Sequence, residues 1–475
     1  SGNDNNFGSP TAPFKTLGAA VDFAQSRDTI VFNNGTHLNT ASISIQKKLF
    51  ITSKYQFTKD SADIKNTILT GGTDFVLFSI SNTYDTVTIN GLTIQNHANI
   101  AISTNVPTLV NACIFKNNGN TTTQNGFLNL GYGAKVSNST FDSNNGYINI
   151  NDRGAVIDAN KFFNNKFGAS NVNYLFQGWS GKFTISNNLF VKNGTMTKND
   201  WDGNASAIVS TGGWGGDTTF IVNNTFINNN VYAVLFSLAN DRRSVVLNNL
   251  FSNPAGDLLF QKSQYSNSNI PGATLIYANI LPKEVTAYDN YKTFSVKSEK
   301  NIISATSGMI DLSTYKVKSN FIGIAEGVAN LKLTNGTVYY TVPAYDLYGK
   351  ERKDIVDIGA EQTNNSIVAP TIDNIEGGSN KNLIIIKPPF NKAKVKSFKI
   401  YVSNQSISDT STTAKLLATI TDTLKYSDAS VVNGTRYYYR VKAVDTSIAA
   451  NLSPYSNEFA VTPNIPPGRI DSLIM

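Results

Sequence analysis

The chain has 475 residues, 40 Lys+Arg against 33 Asp+Glu, only 15% charged residues and a single cysteine. That length accommodates two or three domains with a substantial core, and the lone Cys113 excludes disulfides and cysteine-rich metal sites. Residues 1–362 hold 28 basic against 25 acidic side chains, and residues 363–475 hold 12 against 8, a balance that argues against a funnel for nucleic acid or other polyanions.

Residues 1–40 read as a cap. Ala19-Ala-Val-Asp-Phe-Ala24 is an amphipathic helix, Thr29-Ile-Val-Phe32 a strand, and Asn33-Asn-Gly-Thr-His37 a turn. From residue 89 one phrase recurs, an aliphatic residue followed five positions later by an apolar, usually aromatic one. It reads Ile89–Ile94, Val110–Phe115, Val136–Phe141, Ile157–Phe162, Ile185–Phe190, Ile221–Phe226 and Val246–Phe251, with starts 21, 26, 21, 28, 36 and 25 residues apart. A period with insertions is the signature of stacked repeats, and apolar runs this short make strands rather than helices. Phe115, Phe141, Phe162, Phe190, Phe226 and Phe251 are therefore expected to form one interior column, each burial stabilising by roughly 1.5–3 kcal/mol.

Asn recurs around the phrase, at 138, 187, 223 and 248 after the aliphatic residue and at 117, 164, 228 and 253 after the Phe. Asn tolerates the left-handed backbone and can bond to its like on the next coil, so these positions predict a structural ladder, with a sugar-binding row as the alternative. The coils are expected to run through Thr274–Ile280 and to become irregular over 284–362.

Asp346-Leu-Tyr-Gly-Lys-Glu-Arg352 followed by Asp357-Ile-Gly-Ala-Glu361 resembles the closing motif of secreted bacterial β-helix proteins. With the cap and the Asn-rich coils, residues 1–362 are similar to the right-handed parallel β-helix superfamily, which includes pectate-lyase-like enzymes and bacterial surface proteins. The resemblance implies an all-β solenoid and leaves activity open.

After a linker at 363–369, residues 370–464 alternate as sandwich strands: Leu383–Ile386, Phe398–Val402, Thr435–Val444 and Glu458–Thr462. This segment resembles a fibronectin type III domain, with Tyr437 as the tyrosine-corner candidate and Lys387 standing near the family's usual buried Trp. Residues 465–475 read as a linker into a further domain of a longer, mature protein.

Candidate chemistry is sparse. No Glu precedes Glu284, and the scattered Asp residues lack the pairs that glycoside hydrolysis uses. Trp179, Trp201 and Trp214 fall in the widest insertions, with Asp200 and Asp202 flanking Trp201. Exposed, these rings would stack on sugars while the carboxylates bind hydroxyls; otherwise they form a local core under their own loops. A lyase needs a base and a cation to hold developing negative charge, roles open to Arg153, Lys161, Arg242 or Arg243, with calcium as a cofactor in that case. The Asp-Arg neighbours are otherwise solvated turn residues. His37 and His97 share no ligand spacing, so no metal or cofactor is expected in a binding protein.

The expected function is an extracellular or cell-surface bacterial protein, non-catalytic or weakly catalytic, whose β-helix binds glycans or neighbouring surfaces as an adhesin, with the second domain as spacer. A polysaccharide lyase and a purely structural stalk are the alternatives.

Overall fold

The computed structural model describes residues 2–464 except 73–74, 82–84, 121–125, 152–153, 168–173, 179–181, 196–205, 212–217, 232, 238–242, 253–256, 262–272, 286–294, 307, 319, 333–337, 353–355, 364–366, 390–393, 410 and 447–450. For residues 211, 233, 235–237, 243, 257–261, 273, 295–297 and 338 only the backbone is described. The chain divides into two compact units. One comprises Ser1–Ala305, Asn330–Arg352 and Ile358–Gln362, and the other Thr306–Ala329, Lys353–Asp357 and Thr363–Met475.

The first unit is a parallel β-helix. Among the described residues, successive coils contribute short strands to three sheets, of eleven, eleven and nine strands, and every strand pairs in parallel with its counterparts one coil away. In the phrase Val110–Phe115, the aliphatic residue lies in a first-sheet strand, Thr108–Asn111, and the aromatic one in a second-sheet strand, Ile114–Lys116. The third sheet is built from apolar-polar-apolar triplets such as Leu128–Leu130 and Ile148–Ile150.

The six Phe rings stack face to face through the interior at centroid spacings of 4.8, 4.6, 4.9, 4.8 and 4.8 Å, close to parallel throughout. All six are essentially inaccessible to water. The 4.7–4.9 Å separation of paired strands places identical rings at van der Waals stacking distance, so one residue repeated in register makes a continuous core.

The turns divide labour between adjacent residues. Asn117, Asn138, Asn164, Asn187, Asn223, Asn228 and Asn248 take the left-handed backbone, with φ between 51° and 54°, as their positions predict. The buried ladders belong to the residues that follow them. One runs Ser139, Asn160, Asn188, Asn224, Asn249, Asn279, Asn301, each backbone N–H donating to the next side-chain oxygen at 2.8–3.0 Å. The other runs His97, Asn118, Asn144, Asn165, Asn193, Asn229 at 2.9–3.1 Å. Asn188 Nδ2 also donates down to the Ile157 carbonyl at 2.9 Å and up to Asn224 Oδ1 at 3.0 Å, so its amide is fully satisfied. Asn253 lies outside the described residues.

The solenoid is longer at both ends than the phrase indicates. Helix Leu17–Phe23 covers the start, but Thr29–Phe32 and Gly35–Leu38 already pair with Phe50–Ser53 and Thr67–Thr70. At the other end, Ser295–Glu299 and Ile302–Ile303 still extend the first and second sheets. These terminal strands lack the Phe signal, which is why the sequence reads them as cap or irregular chain.

The closing motif is a strap. Residues 338–352 and 358–362 of this unit run back over the outer turn between the first and second sheets, across coils laid down much earlier. Tyr340 stacks on Phe220 at 4.4 Å, and Tyr339 Oη bonds Thr218 Oγ1 at 2.9 Å. Asn187 Nδ2 donates to the Tyr345 carbonyl at 2.9 Å, and buried Arg352 returns a bond from Nη2 to Asn187 Oδ1 at 3.1 Å. The Gly359 amide donates to the Asn248 carbonyl at 2.8 Å, and the Ala360 amide to Thr225 Oγ1 at 2.9 Å. A Cβ on Gly359, whose φ is +102°, would stand 2.9 Å from that same hydroxyl, so only glycine passes there.

In the second unit, Thr371–Gly378, Lys381–Lys387 and Lys425–Asp428 form one antiparallel sheet. Lys415–Ile420, Val395–Ser403, Tyr437–Asp445 and Phe459–Val461 form another. Its core holds Ile384, Ile386, Phe398, Ile400, Tyr439 and Val441. The Val432 amide donates back to Tyr437 Oη at 3.1 Å, the geometry of a tyrosine corner. Lys387 is exposed at a strand end. Buried Tyr439 donates to Asp428 at 2.7 Å and accepts from Asn382 at 2.9 Å.

Candidate functional site

The outer face of the third sheet carries a continuous uncharged polar column. In a triplet such as Ile148-Asn-Ile150 both Ile side chains turn inward, so the central residue must face out. Strand register aligns these central residues from coil to coil: Ser44, Ser79, Ser103, Asn129, Asn149, Gln177 and Ser210. One hydroxyl or amide is thus presented at every strand spacing.

Two members of the column are incompletely bonded. Asn129 Oδ1 and Asn149 Oδ1 have no hydrogen-bond partner among the described residues although both atoms are shielded from solvent. Such an acceptor costs about 1–3 kcal/mol when left unmade. At the far end Ser210 is buried and bonded by the Tyr174 hydroxyl, whose pKa burial pushes up to about 12.

Of the sequence candidates, Trp179, Trp201, Trp214, Asp200, Asp202, Arg153 and Arg242 lie outside the described residues. The strands beside those intervals are described, and each interval adjoins the third sheet. Residues 152–153 follow Ile148–Ile150, residues 179–181 follow Tyr174–Gly178, and residues 238–242 follow Ala233–Ser237. Residues 196–205 precede Ala207–Thr211, and residues 212–217 follow it.

The other two cationic candidates belong to other sheets. Lys161 opens the second-sheet strand Lys161–Phe163, with its ammonium 5.2 Å from the Tyr348 ring of the strap. Arg243 opens the first-sheet strand Arg243–Leu247. The strands of Lys161 and Arg243 therefore share no sheet with the polar column. Among the described residues no three His, Cys, Asp or Glu side chains gather as metal ligands.

The polar column itself was missed by sequence reasoning. Its signal is the triplet with a small polar residue between two aliphatics, which variable insertions hide.

No protein-family model matches the chain, and no curated protein does. Among solved structures it is similar to a rhamnogalacturonan lyase, at 13% identity and TM-score 0.35 over 72% of this chain and 93% of that one. It is likewise similar to an alginate lyase in complex with a trisaccharide, at 12% identity and TM-score 0.35 over 73% and 91%. A β-1,2-glucanase from Parabacteroides distasonis matches at 24% identity and TM-score 0.18 over 24% of this chain. This chain spans 15% of that enzyme's length. The parallel β-helix follows from the chain's own strand register, independently of these likenesses.

Proposed function

We propose that the β-helix binds an extended polysaccharide lengthwise on the outer face of its third sheet. The column from Ser44 to Gln177 carries this reading: it is uncharged, it is one residue wide, and it repeats at a spacing comparable to one sugar unit. Hydroxyl and amide side chains in a row exchange hydrogen bonds with sugar hydroxyls without desolvating a charge. Trp residues in the adjoining intervals would add flat apolar faces. The partner is then a glycan outside the cell, and the second unit serves as a fibronectin type III-like spacer.

Binding to a panel of polysaccharides tests this, comparing the native chain with the Asn129→Leu, Asn149→Leu double variant. Loss of at least tenfold in affinity, about 1.4 kcal/mol, with unchanged circular dichroism is expected. Equal binding by the two proteins removes the third sheet from the reading.

The second reading is a polysaccharide lyase, and one observation favours it: the intervals that hold Arg153 and Arg242 both begin where third-sheet strands end. Arginines at one edge of a bound uronate chain would stabilise the charge that develops when its acidic proton is removed. Calcium would be a cofactor of that reaction. Ultraviolet-absorbing unsaturated ends released from pectate, alginate or glycosaminoglycans, and abolished by Arg153→Ala or Arg242→Ala, would establish cleavage. Binding without such ends leaves an adhesive function.

A further inference from the structure

Far from the middle of the polar column, the first coils form an open cavity of about 480 Å³ on the outer face of the first sheet. It is lined by Arg27, Lys48, Phe50, Phe57, Gln56 and three threonines, Thr29, Thr86 and Thr88, with Val31 and Leu49 completing the wall. The volume falls in the range of small-molecule sites. Register places Thr29, Phe50 and Thr88 side by side on consecutive strands, and the helix Tyr55–Thr58 that follows the second of these strands supplies Phe57.

We propose that this cavity binds a hexuronate, a single sugar ring bearing one carboxylate. Three features select that chemistry. The first is two cations at one rim. The Arg27 guanidinium makes no ion pair or hydrogen bond among the described residues, while Lys48 faces Asp85 at a long 3.7 Å with both partners half-exposed, a weak contact that a ligand carboxylate can replace. The second is bare apolar surface. Phe57 is 69% exposed and Val31 42%, enough to stack the C–H face of a sugar. The third is the polar set, three threonine hydroxyls and the Gln56 amide, which matches several ligand hydroxyls and nothing on a plain aromatic acid.

The backbone supports a placed cation. Arg27 has φ of 81° and its amide donates to the Lys48 carbonyl at 2.6 Å, so the bond tying the two basic residues together holds a non-glycine residue in a costly conformation. Asp28 accepts the Phe50 amide at its carbonyl, 3.0 Å, fixing the same loop to the next coil.

Calorimetric titration of the full chain with galacturonate, glucuronate, neutral galactose and benzoate tests the assignment. Saturable binding of at least one hexuronate is expected, with galactose and benzoate each at least tenfold weaker. Arg27→Gln should lower hexuronate affinity at least tenfold, and Phe57→Ala should lower it while circular dichroism stays unchanged. Absence of hexuronate binding, equal binding of galactose or benzoate, or indifference to both substitutions overturns the proposal. The Asn129→Leu, Asn149→Leu variant should bind hexuronate as the native chain does. A failure of polysaccharide binding on the third sheet is thereby separable from a failure here.

Discussion

At the scale of single residues, neighbouring asparagines of identical chemistry have opposite tolerances. Asn117 is exposed with a left-handed backbone, so Asn117→Gly should leave stability within about 0.5 kcal/mol. Asn118, next in the chain, bonds Asn144 Oδ1 and the Ile94 carbonyl from its buried amide. Asn118→Gly should cost about 3 kcal/mol or more, because each stranded polar group costs 1–3 kcal/mol. Urea unfolding of the two variants reads the difference.

His97 occupies the ladder rung before Asn118 and donates its backbone N–H to Asn118 Oδ1 at 3.1 Å, but neither ring nitrogen has a partner among the described residues. Burial pushes its pKa down from 6.5 to about 4. The folded state therefore resists the proton that the unfolded chain accepts, so stability is full above pH 6.5 and falls as pH drops towards 4. The loss approaches roughly 3 kcal/mol. His97→Asn should extend the ladder, since register places the Leu69 carbonyl where the Ile94 carbonyl serves Asn118. Urea midpoints at pH 7 and pH 5 should differ less for His97→Asn than for the native chain.

At the scale of elements, the Phe column and the strap hold the solenoid in different ways. Phe162 touches rings above and below at 4.6 and 4.9 Å, so Phe162→Ala should cost about 3–5 kcal/mol in denaturant unfolding. Arg352→Ala should act locally. It removes the guanidinium bonds to Asn187 Oδ1, the Gly359 carbonyl and Gln362 Oε1, and amide exchange should accelerate over 338–352 while the Phe coils stay protected. Arg352→Lys should behave similarly, since an ammonium cannot reproduce the forked geometry.

What was readable in the sequence follows from the same contrast. The Phe column and the turn asparagines were legible because each repeats the same side chain at the same offset. The third sheet was not, because its triplets hold Ser, Asn or Gln between varied aliphatics, and insertions separate them from the phrase by different lengths. The strap was recognised as a motif, but not what it packs against. Its partners Asn187, Asn223 and Asn248 are among the residues that look like pure turn formers. The cavity at Arg27 was invisible, since it is assembled from Thr29, Phe50 and Thr88, which no local spacing links.

At the scale of the whole molecule, the first unit is a one-dimensional stack in which each coil contacts only its neighbours. Removing residues 136–156, one full period from Val136 to the residue before Ile157, should preserve every inward and outward assignment. Removing half that length should not. Circular dichroism and thermal melting of the two deletions would distinguish them: a cooperative transition is expected for the first alone.

The strap breaks that neighbour-only rule, because Arg352 reaches Asn187 across 165 residues of chain. Coils can assemble vectorially as polypeptide emerges, whereas this clasp must wait until more than a hundred further residues have been delivered. Its closure therefore follows that of the coils it spans, and closing so distant a loop adds an entropic cost that neighbouring coils do not meet. A nascent molecule arrested before residue 338 would display a finished prism with its seam still unlatched.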